Sequence, residues 1–137
     1  MSRILSTLIA GLCLASQSSA APLTIDLKGV RKQTGTVKIK VVDSAEAYDG
    51  KAKGVAGEVW KPDGESRQFR FDLPAGQYAV MVVHDANDNG KMDSNVIGIP
   101  TEPYGFSNNP RVMRKPTFEE TRFALPAAGT AIRIDLN

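Results

Sequence analysis

From Asp85 to Asp93 the chain reads DANDNGKMD, an Asp-x-Asn-x-Asn-Gly-x-x-Asp pattern that puts oxygen-bearing side chains at its first, third, fifth and ninth positions. A hard cation such as calcium takes about six to eight oxygen ligands at about 2.3–2.6 Å. A curled loop can bring its first, third and fifth side chains to one point if a glycine in sixth place allows the sharp turn. Asp85, Asn87 and Asn89 fill those three places, Gly90 supplies the turn, Lys91 offers its backbone carbonyl and Asp93 a further carboxylate. The pattern is not an EF-hand. Its twelfth position is Val96, where a bidentate Glu is needed, and the entering segment has strand periodicity rather than that of a helix. A missing ligand must come from Glu102 or from water. With Asp85 and Asp93 as the loop's two ligating carboxylates, affinity is expected in the high-micromolar to millimolar range of extracellular modules. Magnesium suits such a loop less, because it keeps its waters and tolerates distortion poorly. The competing reading is a metal-free surface turn, since Asn, Asp and Gly favour turns through their own local hydrogen bonds.

Other residues carry less chemistry. His84 is the sole histidine and precedes Asp85 directly. Neighbouring strand residues point to opposite faces, so the two do not form a dyad. Alternation groups His84 with Tyr78, Val80 and Val82, as a packed, hydrogen-bonded histidine. One histidine and one cysteine, Cys13, cannot build a zinc site, and no Gly-x-Ser-x-Gly elbow occurs. No residue is therefore assigned a catalytic role. Glu119-Glu120 precede an expected strand and read as a solvated face rather than a catalytic pair. Trp60 reads as a half-buried edge residue, the alternative being an exposed ring that stacks on a sugar. Asn95 to Arg111 holds three prolines and two glycines, which argue against regular structure over most of its length. It is either an ordered connection clamped by Tyr104 and Phe106 or a recognition surface beside the metal, with Tyr104, Asn108 and Asn109 exposed. Long ordered loops often carry function.

The elements that must position these residues show the period of two that marks strands. Leu23, Ile25 and Leu27 alternate with Thr24, Asp26 and Lys28, and Val37, Ile39 and Val41 with Thr36, Lys38 and Lys40. Phe69, Phe71 and Leu73 follow the same rule, as do Ile132, Ile134 and Leu136. One wet face per run favours antiparallel pairing. Tyr78 to Val83 is apolar on both faces and is expected to be a central strand. Pro74-Ala75-Gly76 reads as a tight hairpin, and Pro62-Asp63-Gly64 and Ala128-Gly129 as further turns. Ser44 to Tyr48 is expected to make one helical turn capped by Ser44, and Gly50 to Gly57 a mobile loop. About seven short strands predict an all-β fold, an immunoglobulin- or transthyretin-like antiparallel β-sandwich over residues 21–137.

Residues 1–20 read as a secretory signal peptide. Arg3 opens it, Ile4 to Ala15 is apolar apart from Ser6 and Thr7, and Ser18-Ser19-Ala20 offers a cleavage site. The apolar run is short for a membrane span, which takes about 20 residues. Leu12 before Cys13 argues against a lipoprotein site. The mature chain would then lack cysteine and rely on its core, or on a metal, for stability. A periplasmic or secreted location is expected. Seventeen basic against 15 acidic side chains give a net charge of +2, with no basic run longer than two, so nucleic acid is a poor partner.

The stretch YAVMVVHDANDNGKMDSNVIGIPTEPYGFSNN, with FDLPAGQYAV before it and PTFEETRFAL after it, resembles the bacterial family called domain of unknown function 2141. The resemblance covers nearly all of the mature chain. It implies an exported immunoglobulin- or transthyretin-like sandwich and no established activity. Residues and resemblance together point to a non-enzymatic envelope module stabilised by calcium, binding a protein or glycan through the Asn95–Arg111 loop. A metal-assisted hydrolase or a carbohydrate-binding module at the Asp85–Asn109 region is the alternative, and a carrier of small apolar ligands between the sheets a third reading.

Overall fold

A computed structural model describes residues 19–91 and 101–137. The leader up to residue 18, Asp93 and the Asn95–Pro100 part of the long connection therefore lie outside the described residues. Among the described residues, eight strands and two single-turn helices follow in the order β1 (Ala21–Lys28), β2 (Thr36–Val42), α1 (Ala45–Tyr48), β3 (Ala56–Trp60), β4 (Arg67–Leu73), β5 (Gly76–Asp85), β6 (Tyr104–Phe106), α2 (Phe118–Thr121), β7 (Phe123–Leu125) and β8 (Thr130–Asp135). They form two facing sheets. The first has the order β4-β1-β8; the second runs β3-β2-β5-β6, with β7 also on β5. The fold is an all-β sandwich.

The period-two runs turn one face inward as their alternation requires. Leu23, Ile25 and Leu27 of β1 are fully buried, and they meet Val37, Ile39 and Val41 of β2, Val80 and Val82 of β5, and Phe69 of β4 in one core. Each such buried aliphatic side chain stabilises the fold by about 1.5–3 kcal/mol relative to exposure. Strand β5 is central, with β2 on one edge and both β7 and β6 on the other. Its second apolar face has its own cover. Ala79 and Met81 pack with Val42, Ala47, Tyr48, Phe106 and Phe118, where α1 and α2 lie over the sheet. Between the short β7 and β6, Ser107 continues the ladder. Its amide donates to the Val80 carbonyl at 3.0 Å, and its Oγ accepts from the Val80 amide at 3.0 Å while donating to the Thr121 carbonyl at 2.5 Å.

Several expectations need correction. Pro74-Ala75 does not close a hairpin, because β4 pairs with β1 and β5 with β2, so the turn carries the chain from one sheet to the other. Pairing is not wholly antiparallel, since β1 and β8 run parallel from Leu23↔Thr130 to Lys28↔Asp135. The Gly50–Gly57 loop is shorter than expected, because β3 begins at Ala56 and Gly57 pairs with Lys40. Trp60 ends that strand at 6% exposure, edge-on to Phe69 and beneath the Arg67 guanidinium, so it is not an exposed sugar platform. Tyr104 to Phe106 is a strand, not irregular chain. Glu119 and Glu120 do precede a strand, β7, and lie in α2, where Glu119 is exposed and Glu120 is held by Arg114 and closes the capping box on Thr117.

Candidate metal centre

Strand β5 ends at Asp85, and the loop that follows folds back over that side chain. The Asp85 carboxylate is buried and accepts from the amides of Asn89 (3.2 Å, Oδ1) and Gly90 (2.8 Å, Oδ2). Asn87 Oδ1 also accepts from the Asn89 amide at 3.2 Å, and Asn89 Oδ1 from the Lys91 amide at 2.9 Å. Each acceptor bonds to backbone two or more residues ahead, which winds the chain into successive tight turns. Asp88 and Gly90 take left-handed backbone, with φ of 53° and 74°. Gly90 therefore fills the place where the sequence pattern calls for a conformationally free residue.

Asp88 points outside this winding. Its Oδ1 accepts from the Thr36 hydroxyl at 2.5 Å and its other oxygen lies 3.7 Å from Lys61 Nζ. The Thr36 bond, helped by Lys61, holds the Asp88 carboxyl below the usual carboxylate range. Lys38 Nζ stands 4.0 Å from Asp85 Oδ2. The entry to β2 forms the loop's base. The Thr34 hydroxyl donates to the Ala86 carbonyl at 3.2 Å, and a Cβ on Gly35 would fall 2.0 Å from the Asp85 carbonyl oxygen.

Asp85, Asn87 and Asn89 are thus wound onto one short loop, and Lys91 follows them. A carbonyl or carboxylate oxygen has two lone pairs, so one accepted N–H leaves capacity for a cation. This donor set fits a hard, oxygen-seeking ion in kind. Among the described residues no three His, Cys, Asp or Glu side chains cluster as a metal-binding group.

Glu102 is buried and lies, with Asn87 and His84, on a cleft of about 690 Å³ at the end of the sandwich. His84 points into the sandwich, at 1% exposure, with Nε2 2.7 Å from the Thr34 carbonyl. A carbonyl only accepts, so Nε2 carries a hydrogen. Tyr104 is half-buried, its ring edge-on to Phe106. Asn108 and Asn109 are exposed, both in left-handed backbone. The Asn108 amide donates to the carbonyls of Glu120 (3.2 Å) and Arg122 (2.8 Å). Asn109 bonds to β8, donating to the Arg133 carbonyl at 3.0 Å and accepting from the Asp135 amide at 2.9 Å. Both amides stitch elements together.

The sequence pattern assigns no contact to the Thr34, Thr36 or Ser107 hydroxyls. Thr36 lies 52 residues from Asp88, and no local spacing signals such a pair. No helix among the described residues is long and apolar enough to cross a membrane.

No curated protein matches the chain. A solved structure of the tip fimbrial protein Mfa3 from Porphyromonas gingivalis, with a C-terminal truncation, aligns at 14% identity and a TM-score of 0.46. The alignment covers 84% of this chain and 48% of that one, so the chain spans about half the length of that structure. The motif around the loop is matched at family level: the chain belongs to the family described as "Uncharacterized protein conserved in bacteria (DUF2141)", whose model covers residues 25–133.

Proposed function

We propose that the protein is an exported module of the bacterial cell envelope with a structural or binding role, periplasmic or secreted, whose Asp85–Asp93 loop binds calcium. The observation that carries the calcium reading is the winding of the loop about the buried Asp85 carboxylate, which takes the Asn89 and Gly90 amides. A loop already wound this way loses little conformational freedom when a cation joins it. Asp85, Asn87, Asn89 and the Lys91 carbonyl would hold the ion, with Asp93 and Glu102 or water completing the shell. Bound calcium would fix the end of central strand β5 and the start of the connection to β6. The apolar leader at residues 4–15 supports the exported location.

Thermal melting of the mature protein tests the metal. Calcium at about 100 times its dissociation constant should stabilise the fold by about 2.7 kcal/mol, and chelator should abolish the gain. An unchanged melting temperature at millimolar calcium rules the reading out. Fractionation of cells expressing the full chain tests export, with a processed protein in the periplasm or medium as the expected result.

A further inference from the structure

The loop after β5 holds the single Asn-Gly pair of the sequence, Asn89-Gly90. Such a pair can react with itself. The glycine nitrogen bonds to the asparagine Cγ, the Cγ–Nδ2 bond breaks, and ammonia leaves with the hydrogen from the glycine nitrogen. Water then opens the succinimide ring at either carbonyl, giving aspartate or isoaspartate. Glycine favours the first step because it has no side chain to crowd its nitrogen. Asn89 and Gly90 are both exposed, and nothing lies within 4 Å of a Cβ built on Gly90. Burial therefore gives the pair no protection, and any protection must come from the hydrogen bonds of the loop.

From those bonds we infer that Asn89 is a deamidation site that the Asp85 carboxylate holds shut, so that it reacts only when the loop unwinds. The Gly90 N–H donates to Asp85 Oδ2 at 2.8 Å. The electron pair that attacks lies where that hydrogen was, so in the wound loop it points at Asp85 and not at Asn89 Cγ. To reach Cγ, the peptide unit between Asn89 and Gly90 must turn. That turn breaks a hydrogen bond to a charged acceptor, one of the stronger kinds. The same carboxylate repels negative charge building on the Gly90 nitrogen. Asn89 itself is pinned on two sides. Its amide donates to Asp85 Oδ1 and Asn87 Oδ1, both at 3.2 Å, and its Oδ1 accepts from the Lys91 amide at 2.9 Å. Asp85 is 3% exposed at the end of β5, which keeps this anchor in place. Asp85 is thus a positioning residue, and local opening of the loop sets the rate. The product gains a carboxylate at position 89, and its isoaspartyl form also gains a backbone methylene, so it cannot wind as before.

The inference uses hydrogen bonds alone and stands apart from the calcium reading, so the test is run in chelator. The mature protein is incubated at neutral pH, folded in buffer and unfolded in guanidinium chloride. Peptide mapping by mass spectrometry follows aspartyl and isoaspartyl product at position 89. The folded protein should react about tenfold or more slowly than the unfolded chain, since it must open first. Asp85→Asn removes the charge and one of the two acceptor oxygens. With its fold checked by circular dichroism, it should deamidate at position 89 about threefold or more faster than the folded wild type. Hydrogen exchange of the wild-type Gly90 amide, read by NMR, asks the same question without a variant, and slowed exchange is expected. Equal rates in the folded and unfolded wild type overturn the inference. So does a Gly90 amide that exchanges as fast as one in an unstructured chain, or a folded Asp85→Asn that reacts no faster than wild type.

Discussion

Asn109 pairs with Asp135 much as one strand pairs with the next: its Oδ1 accepts the Asp135 amide at 2.9 Å, and its Nδ2 donates to the Arg133 carbonyl at 3.0 Å. Beside it the Asn137 amide donates to the Tyr104 carbonyl at 3.1 Å, so the edges of β8 and β6 are joined across the two sheets. An open strand edge is a template for pairing with another chain. A side-chain amide covers this stretch of it.

Asn109→Ala should destabilise the protein by about 1–2 kcal/mol, since two hydrogen bonds are lost at about 1 kcal/mol or less each. Urea unfolding measures the loss. Asn109→Asp keeps an acceptor for the Asp135 amide but cannot donate to Arg133, and it adds a carboxylate beside Asp135. It should be no more stable than the alanine variant. A wild-type midpoint for both variants would mean the amide contributes nothing.

Gly35 separates steric from conformational cost. Its φ is +70°, and a Cβ there would meet the Asp85 carbonyl at 2.0 Å. Gly50 has φ +79° with nothing within 4 Å of a Cβ. Gly50→Ala should cost about 1–2 kcal/mol, the left-handed penalty alone. Gly35→Ala adds overlap with backbone and should cost about 2–5 kcal/mol. Equal costs for the two would show that the β2 entry does not abut the loop as described.

Glu120 gives acid sensitivity. The Arg114 guanidinium, bonded to both its oxygens at 2.8 Å, and the Thr117 amide lower its pKa from 4.5 to about 2. A depressed folded-state pKa gives stability that is present above about 4.5 and lost as pH falls toward about 2. Melting temperature between pH 6 and pH 2 should fall less steeply in Glu120→Gln, which keeps a capping-box side chain without the charge. The exposed site makes the effect small, and high salt should shrink it.

Tyr48 carries the opposite dependence. Burial, chiefly, pushes its hydroxyl up to about 12, and that hydroxyl donates to the Pro116 carbonyl at 2.5 Å. A raised folded-state pKa gives stability that is complete below about 10 and lost as pH rises toward about 12. Burial also raises Tyr78, so ultraviolet titration of the phenolates should show the step near 12 lost in Tyr48→Phe while the Tyr78 step remains. That variant leaves the Pro116 carbonyl unmatched and should lose about 1–3 kcal/mol.

Within the calcium reading, Asn89→Ala removes one ligand and the acceptor for the Lys91 amide. The calcium-induced rise in melting temperature should shrink severalfold while the apo protein stays folded. A full calcium response in Asn89→Ala would remove Asn89 from the ligand set.

Alternation in the sequence determined much of this molecule. Leu23-Ile25-Leu27, Val37-Ile39-Val41 and Phe69 face the core because side chains along a strand point to alternate faces, and apolar faces leave water. Double-faced Tyr78–Val83 had to lie centrally, and β5 does. The Asp85–Lys91 winding was also legible, because each of its bonds spans only two to five residues, within reach of local turn chemistry. Tertiary structure alone decided which strands pair. The period of two is blind to partners, so neither the parallel β1–β8 ladder nor the passage of Pro74-Ala75 between sheets could be read from it. The same holds for Thr36 on Asp88, Asn109 on β8, and the cleft that gathers Arg31, His84 and Glu102. Those contacts join distant segments, and packing, not local geometry, brings them together.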